Sequence, residues 1–153
     1  MDTTTVSQIV SYINNHQLAV VSTVGPDGKP FAVTMYVVSD EHLNLYFMTK
    51  KETTKFRNMS SNPYIFITFS DETDLSTLQV SGKVNTIEPQ TDSQTTYNLM
   101  RGLRIKINEE KIPVSKLNAG EYVIFKVDVD RATLTNYQQK DITLGVTKLE
   151  YLS

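Results

Sequence analysis

Residues 47–59, FMTKKETTKFRNM, gather Lys50, Lys51, Lys55 and Arg57 where an apolar, aromatic strand hands over to a helix. A helix starting near Thr53 presents unpaired backbone N–H groups and the positive end of its dipole. Thr53 and Thr54 add hydroxyls there, and Lys55 is close enough to aim at the same point. This set of donors suits a phosphate monoester, with Arg57 or Lys50 as a further charge. A lysine-rich helix start capped by threonine is also a common solvated surface. The dipole favours acids at this end, which fits Glu52 and opposes Lys55. Two readings therefore stand at this point: an ordinary wet helix start, or a bound anion that compensates the cations.

The elements that must position this run follow from hydrophobic period. Val6, Ile9, Val10 and Ile13 recur with helical spacing, predicting an amphipathic helix capped at Thr3–Thr5 and ending near Asn14–His16. LAVVSTV (18–24) and FAVTMYVV (31–38) flank GPDGKP, a tight reversal. After the turn SDEH comes a third strand, LNLYFMT (43–49), and the three read as an antiparallel meander. Residues 52–61 form a short helix with Phe56 and Met59 as apolar contacts, stopped by Asn62-Pro63. Further strands are expected at 64–70, at 76–88 with a bulge or bend at Gly82, and at 121–137. A helix is expected at 91–103, and the tail ITLGVTKLEYLS (142–153) reads as a final strand. Many antiparallel strands with short inserted helices predict a mainly β fold, a closed or nearly closed barrel, in one domain over 1–153.

Composition excludes several functions. The absence of Cys rules out a disulfide framework, a Cys-type zinc site and a thiol nucleophile. A formal charge of −2 provides no broad basic field for nucleic acid. The first residues lack the basic and apolar regions of a signal peptide, and no apolar run is long enough to span a bilayer, so a cytoplasmic location is expected. No His/Asp/Glu cluster has metal-ligand spacing, and G-x-S-x-G does not occur. His16 and His42 read as structural or solvated, and the adjacent acids Glu109 and Glu110 as a wet surface.

The ordered set of a Gly-Pro-Asp-Gly-Lys-Pro turn, an LYFMT strand, a Lys-Lys-x-Thr-Thr-Lys-Phe-Arg-Asn-Met helix, Asn-Pro and an LQVSGKV strand resembles the pyridoxamine 5′-phosphate oxidase-like FMN-binding split barrels. The resemblance covers roughly residues 5 to 137 and is greatest for the general-stress-protein-like branch. It implies FMN as cofactor, a flavin-dependent oxidoreductase acting on a small molecule, and a homodimer whose flavin sites are shared by both chains. Carried over by position, Lys55 matches the basic phosphate ligand, with Thr54 and Thr53 beside it and Lys50 near the strand end. Val33, Thr34 and Met35 on one strand, and Phe47, Met48 and Thr49 on another, match the segments along the isoalloxazine edge. Thr77 or Gln79 falls where the family places a polar contact to the flavin.

The chain ends TKLEYLS and lacks the C-terminal Arg/His substrate element of the vitamin-forming oxidases, so pyridoxine phosphate is not supported as substrate. Rival readings are a haem- or F420-binding member of the same fold, and a flavin carrier or sensor without turnover. Haem requires an axial ligand, for which His16 and His42 are poorly placed.

Overall fold

The computed structural model describes residues 3–87, 122–137 and 142–147. The helix expected at 91–103 and the pair Glu109–Glu110 lie outside them. The first helix, α1, spans Thr3–Asn15 and buries Val6, Ile9 and Ile13, the face its spacing predicts. The helix already begins at Thr3, so Thr3, Thr4 and Thr5, expected as caps, lie inside its first turn.

Eight strands follow: β1 (Leu18–Val24), β2 (Pro30–Tyr36), β3 (Val38–Ser39), β4 (Asn44–Lys50), β5 (Tyr64–Asp71), β6 (Ser76–Ile87), β7 (Tyr122–Asn136) and β8 (Ile142–Thr147). The second helix, α2, spans Thr54–Ser61 between β4 and β5. The turn between β1 and β2 closes with Gly25 N–H donating to the Lys29 carbonyl at 2.9 Å, and Gly28 adopts φ 78°. That backbone region is open to glycine without cost.

All pairings are antiparallel, in the order β2-β1-β5-β6-β7-β4-β3, with β8 added to β7. The two ends of that order, β2 and β3, are consecutive in the chain and separated only by Val37. The sheet therefore curls round to its own beginning, as a split barrel does. Here the expected meander is corrected. The predicted strand 31–38 breaks at Val37, whose N–H turns to the Gln17 carbonyl at 2.8 Å. Only Val38 and Ser39 then pair with the third strand, opposite Tyr46 and Leu45. The rest of that strand pairs with β7 instead.

Inward positions alternate as the period-two pattern requires. Val21, Leu45, Phe47, Ile67, Phe69, Leu78, Val80 and Val127 are all essentially inaccessible. At Gly82 the register of β6 against β7 shifts, and the expected bulge is present. The turn before β4 is built on Asp40, whose carboxylate accepts from the N–H groups of His42 and Asn44, the Asn44 amide and the Tyr46 hydroxyl. Burial pushes this carboxyl up, but the bonds from Asn44, Tyr46 and His42 outweigh it and hold the group below its usual range.

Side-chain bonds dock α1. Asn14 donates to the Ser39 carbonyl and accepts from the Ser39 N–H, both at 3.0 Å. His16 stacks on Tyr12 and meets the Asp71 carboxylate through Nε2 at 2.6 Å. The His16 bond, followed by the Thr73 N–H, holds the Asp71 carboxyl below its usual range. A depressed carboxyl contributes stability above its unfolded value of about 3.9 and loses it as pH falls through the folded value. Asp71→Asn should therefore lower the melting temperature at pH 7, and the gap should narrow as pH falls below about 4 and through the depressed folded value. An equal gap in thermal melts at pH 3 and pH 7 would contradict this role for the contact.

Candidate functional site

The gap in the barrel lies where β2 and β4 approach without a ladder between them. β2 pairs only with β1, so its other edge carries no partner strand among the described residues. On β4, only Leu45 and Tyr46 are paired on that side, through β3. The segments Val33–Thr34–Met35 and Phe47–Met48–Thr49 thus present backbone donors and acceptors along the two lips of one opening. Their side chains divide. Met35 and Phe47 are buried in the core, Phe47 stacking on Phe125 with ring centroids 5.5 Å apart. Val33 is half-buried against the same core, while Thr34 is exposed and Met48 half-buried on the outer face. Met35 and Phe47 can therefore meet a ligand only through their backbones.

At the end of β4 the chain turns straight into α2. Thr53 is the N-cap: its hydroxyl accepts from Phe56 N–H at 3.3 Å and donates to the Lys50 carbonyl at 2.9 Å. The same hydroxyl lies 3.2 Å from that of buried Thr49, which ties the helix start to the strand. Arg57 N–H goes to the Thr53 carbonyl at 3.2 Å. The N–H groups of Thr54 and Lys55 have no acceptor among the described residues, and the first turn contains no acid. Lys55 is half-buried, and desolvation pushes its ammonium below the usual lysine range. No carboxylate among the described residues lies within ion-pair distance of it. Arg57 is exposed and reaches the Thr54 hydroxyl at 3.5 Å, so it can swing towards the same point. Lys50 and Thr54 are exposed beside it. Two N–H groups, one hydroxyl and one desolvated cation, with no counter-charge among the described residues, thus gather at one end of the opening, a donor set whose chemistry suits an anion.

Thr77 and Gln79 stand apart from this group. The pairings run Thr34, Val20, Thr68, Gln79 in one row across β2, β1, β5 and β6. That places Gln79 three strand spacings from Thr34, roughly 14 Å along the outer face. Thr77 is half-buried two residues earlier on the same face. Two residues at this site were not singled out by their sequence pattern: Asn58 and Thr23. Asn58 in α2 donates its amide to the Thr23 hydroxyl on β1 at 3.0 Å, and both side chains are buried. The available signal was a threonine at an inward position of β1, in step with Ala19 and Val21. Among the described residues no group of His, Asp and Glu could hold a metal, and no helix is long and apolar enough to cross a membrane.

A barrel split between β2 and β4, with a cluster of donors at the start of the helix after β4, defines a class for which a family comparison is decisive. The family model described as pyridoxamine 5′-phosphate oxidase matches residues 6–136, and the chain belongs to that family. A comparison with curated proteins gives no match. Among solved structures, a pyridoxamine 5′-phosphate oxidase-related, FMN binding protein from Nostoc punctiforme is 12% identical, with 92% of this chain and 94% of that one covered at a TM-score of 0.68. General stress protein 26 from Bacillus anthracis is 19% identical, with coverage of 94% and 98% and a TM-score of 0.63. An F420 reductase is 21% identical, with coverage of 84% and 95% and a TM-score of 0.64. At these identities the likeness establishes the shared fold.

Proposed function

We propose that this chain is an FMN-binding flavoprotein and an FMN-dependent oxidoreductase for a small molecule, working as a cytoplasmic homodimer. The observation that carries the reading is Lys55, a half-buried ammonium with no counter-charge among the described residues, beside the N–H groups of Thr54 and Lys55, which find no acceptor there either. The FMN phosphate fits there, with Thr53 holding the helix start in place and Lys50 adding charge. The lips at 33–35 and 47–49 offer backbone bonds to the polar edge of the isoalloxazine. When bound, FMN supplies the hydride or electron transfer. The chain's own part is to hold the phosphate, orient the ring along the opening and exclude water from one side of it.

The outer face supports the dimer. Leu18, Val20, Val24, Tyr64 and Phe66 are exposed on the adjacent strands β1 and β5, and no outward position between 18 and 24 or 64 and 70 carries a charge. Such a surface is suited to a second copy across a two-fold axis. Gln79 and Thr77, roughly 14 Å from the opening of their own chain, would then meet the flavin bound to the other copy.

Titration with FMN should give the absorption bands of oxidised flavin with quenched fluorescence, and light scattering should give a dimer. A haem or deazaflavin spectrum in the purified protein would contradict the cofactor. A monomer with flavin fully bound would contradict the shared site.

A further inference from the structure

We infer that the buried Thr23–Asn58 hydrogen bond is a positioning device for the phosphate receptor, setting the direction in which α2 points its first turn. This inference rests on the proposed phosphate site and assigns residues that never touch the ligand. α2 has only eight residues, Thr54–Ser61, and a helix this short has little stability of its own. Its aim therefore depends on what fastens it to the barrel.

The start is fastened to β4, through the Thr53 hydroxyl on the Lys50 carbonyl and against Thr49. These contacts form one pivot, and a helix held at one end can still swing. Two further contacts limit that swing. Phe56 packs on the Phe125 ring with centroids 6.0 Å apart, and Met59 is buried in the core. Both are apolar and without fixed direction. Asn58 supplies the directional contact, 3.0 Å from the Thr23 hydroxyl on the opposite side, at the end of β1. At Gly25 a Cβ would come within 3.4 Å of the Asn58 Oδ1, so the next turn of chain already lies close to the amide. Asn58 lies three residues beyond Lys55, about one helical turn, so a shift there is transmitted directly to the N–H groups of Thr54 and Lys55.

The amide is also costly to leave unpaired, since a buried donor that loses its acceptor incurs its full desolvation penalty. Thr23→Val keeps the shape and removes the acceptor. Thr23→Ser keeps the acceptor and removes a methyl group.

The test is the dissociation constant of each purified protein for FMN and for riboflavin, measured by flavin fluorescence. Thr23→Val should weaken FMN about tenfold while riboflavin changes less than about twofold. Thr23→Ser should keep the preference of the unmutated protein. If Thr23→Val does not fold, Thr23→Val/Asn58→Leu replaces both polar partners with apolar ones, which is gentler on the fold. It should show the same selective loss of FMN. Retention of the full FMN preference in either variant overturns the positioning role while the phosphate site stands. Equal affinities for FMN and riboflavin in the unmutated protein overturn the site and this inference together.

Discussion

Lys55→Ala should weaken FMN binding about 10- to 100-fold and leave riboflavin binding nearly unchanged. A charge-assisted bond from the ammonium to a phosphate is worth roughly 1.5–3 kcal/mol, which is that factor in affinity. The lysine is half-buried and has no counter-charge among the described residues, so part of its desolvation is already incurred before the anion arrives. Lys55→Glu should be worse, because it sets a negative charge against a dianion. The fold should survive both changes, since the side chain takes no part in the core and opposes the dipole of its own helix. Lys111→Ala, a basic residue far from α2 in sequence, serves as the control and should leave FMN affinity alone. A normal FMN affinity in Lys55→Ala would return the run at 47–59 to an ordinary wet helix start.

The second large effect is on stability. At Gly82 an added Cβ would stand 2.5 Å from the Asp128 carbonyl oxygen and 2.8 Å from the Val127 Cγ1. That carbonyl belongs to β7, which is fixed in the ladder on both sides and cannot rotate away. Gly82→Ala should therefore reach the upper end of the overpacking range, about 3 kcal/mol. In a chain of this length that lowers the melting temperature by roughly 6–12 °C. Gly28→Ala is the comparison: nothing lies within 4 Å of its Cβ position, and only its φ of 78° resists. It should cost about 1–2 kcal/mol. Thermal melts that rank the two substitutions the other way round would contradict the account of the bulge.

Much of this architecture is legible in the residues, for physical reasons that differ from element to element. The strand β1 coincides with LAVVSTV because Gly25-Pro26 ends it sharply, and α2 stops where Asn62-Pro63 forbids another turn. The bulge is legible because a lone glycine in a strand marks a close backbone approach. Pairing across the barrel is not legible in the same way. The break at Val37 depends on a carbonyl of Gln17, twenty residues earlier in sequence, and nothing in FAVTMYVV announces it. The opening between β2 and β4 is therefore a property of the curled sheet and not of either strand.

The candidate site shows the same division. Lys55, Thr54 and Thr53 can be read from composition at a helix start, because capping and dipole effects are local. Which side of each lip faces inward follows from alternation, so the burial of Phe47 and the exposure of Thr34 were within reach. The separation of Gln79 from Thr34 was not, since it depends on β1 and β5 lying between them. Asn58 was hidden for a further reason: an asparagine inside a polar helix looks solvated until its partner on β1 is known.

The central claim is that the first turn of α2, with Lys55, receives the phosphate of FMN. Its most direct test is the pair of dissociation constants of the unmutated protein for FMN and for riboflavin, which differ only in that phosphate. The account predicts FMN bound at least about tenfold more tightly, a preference that weakens as salt screens the charge. Equal affinities for the two flavins would contradict it.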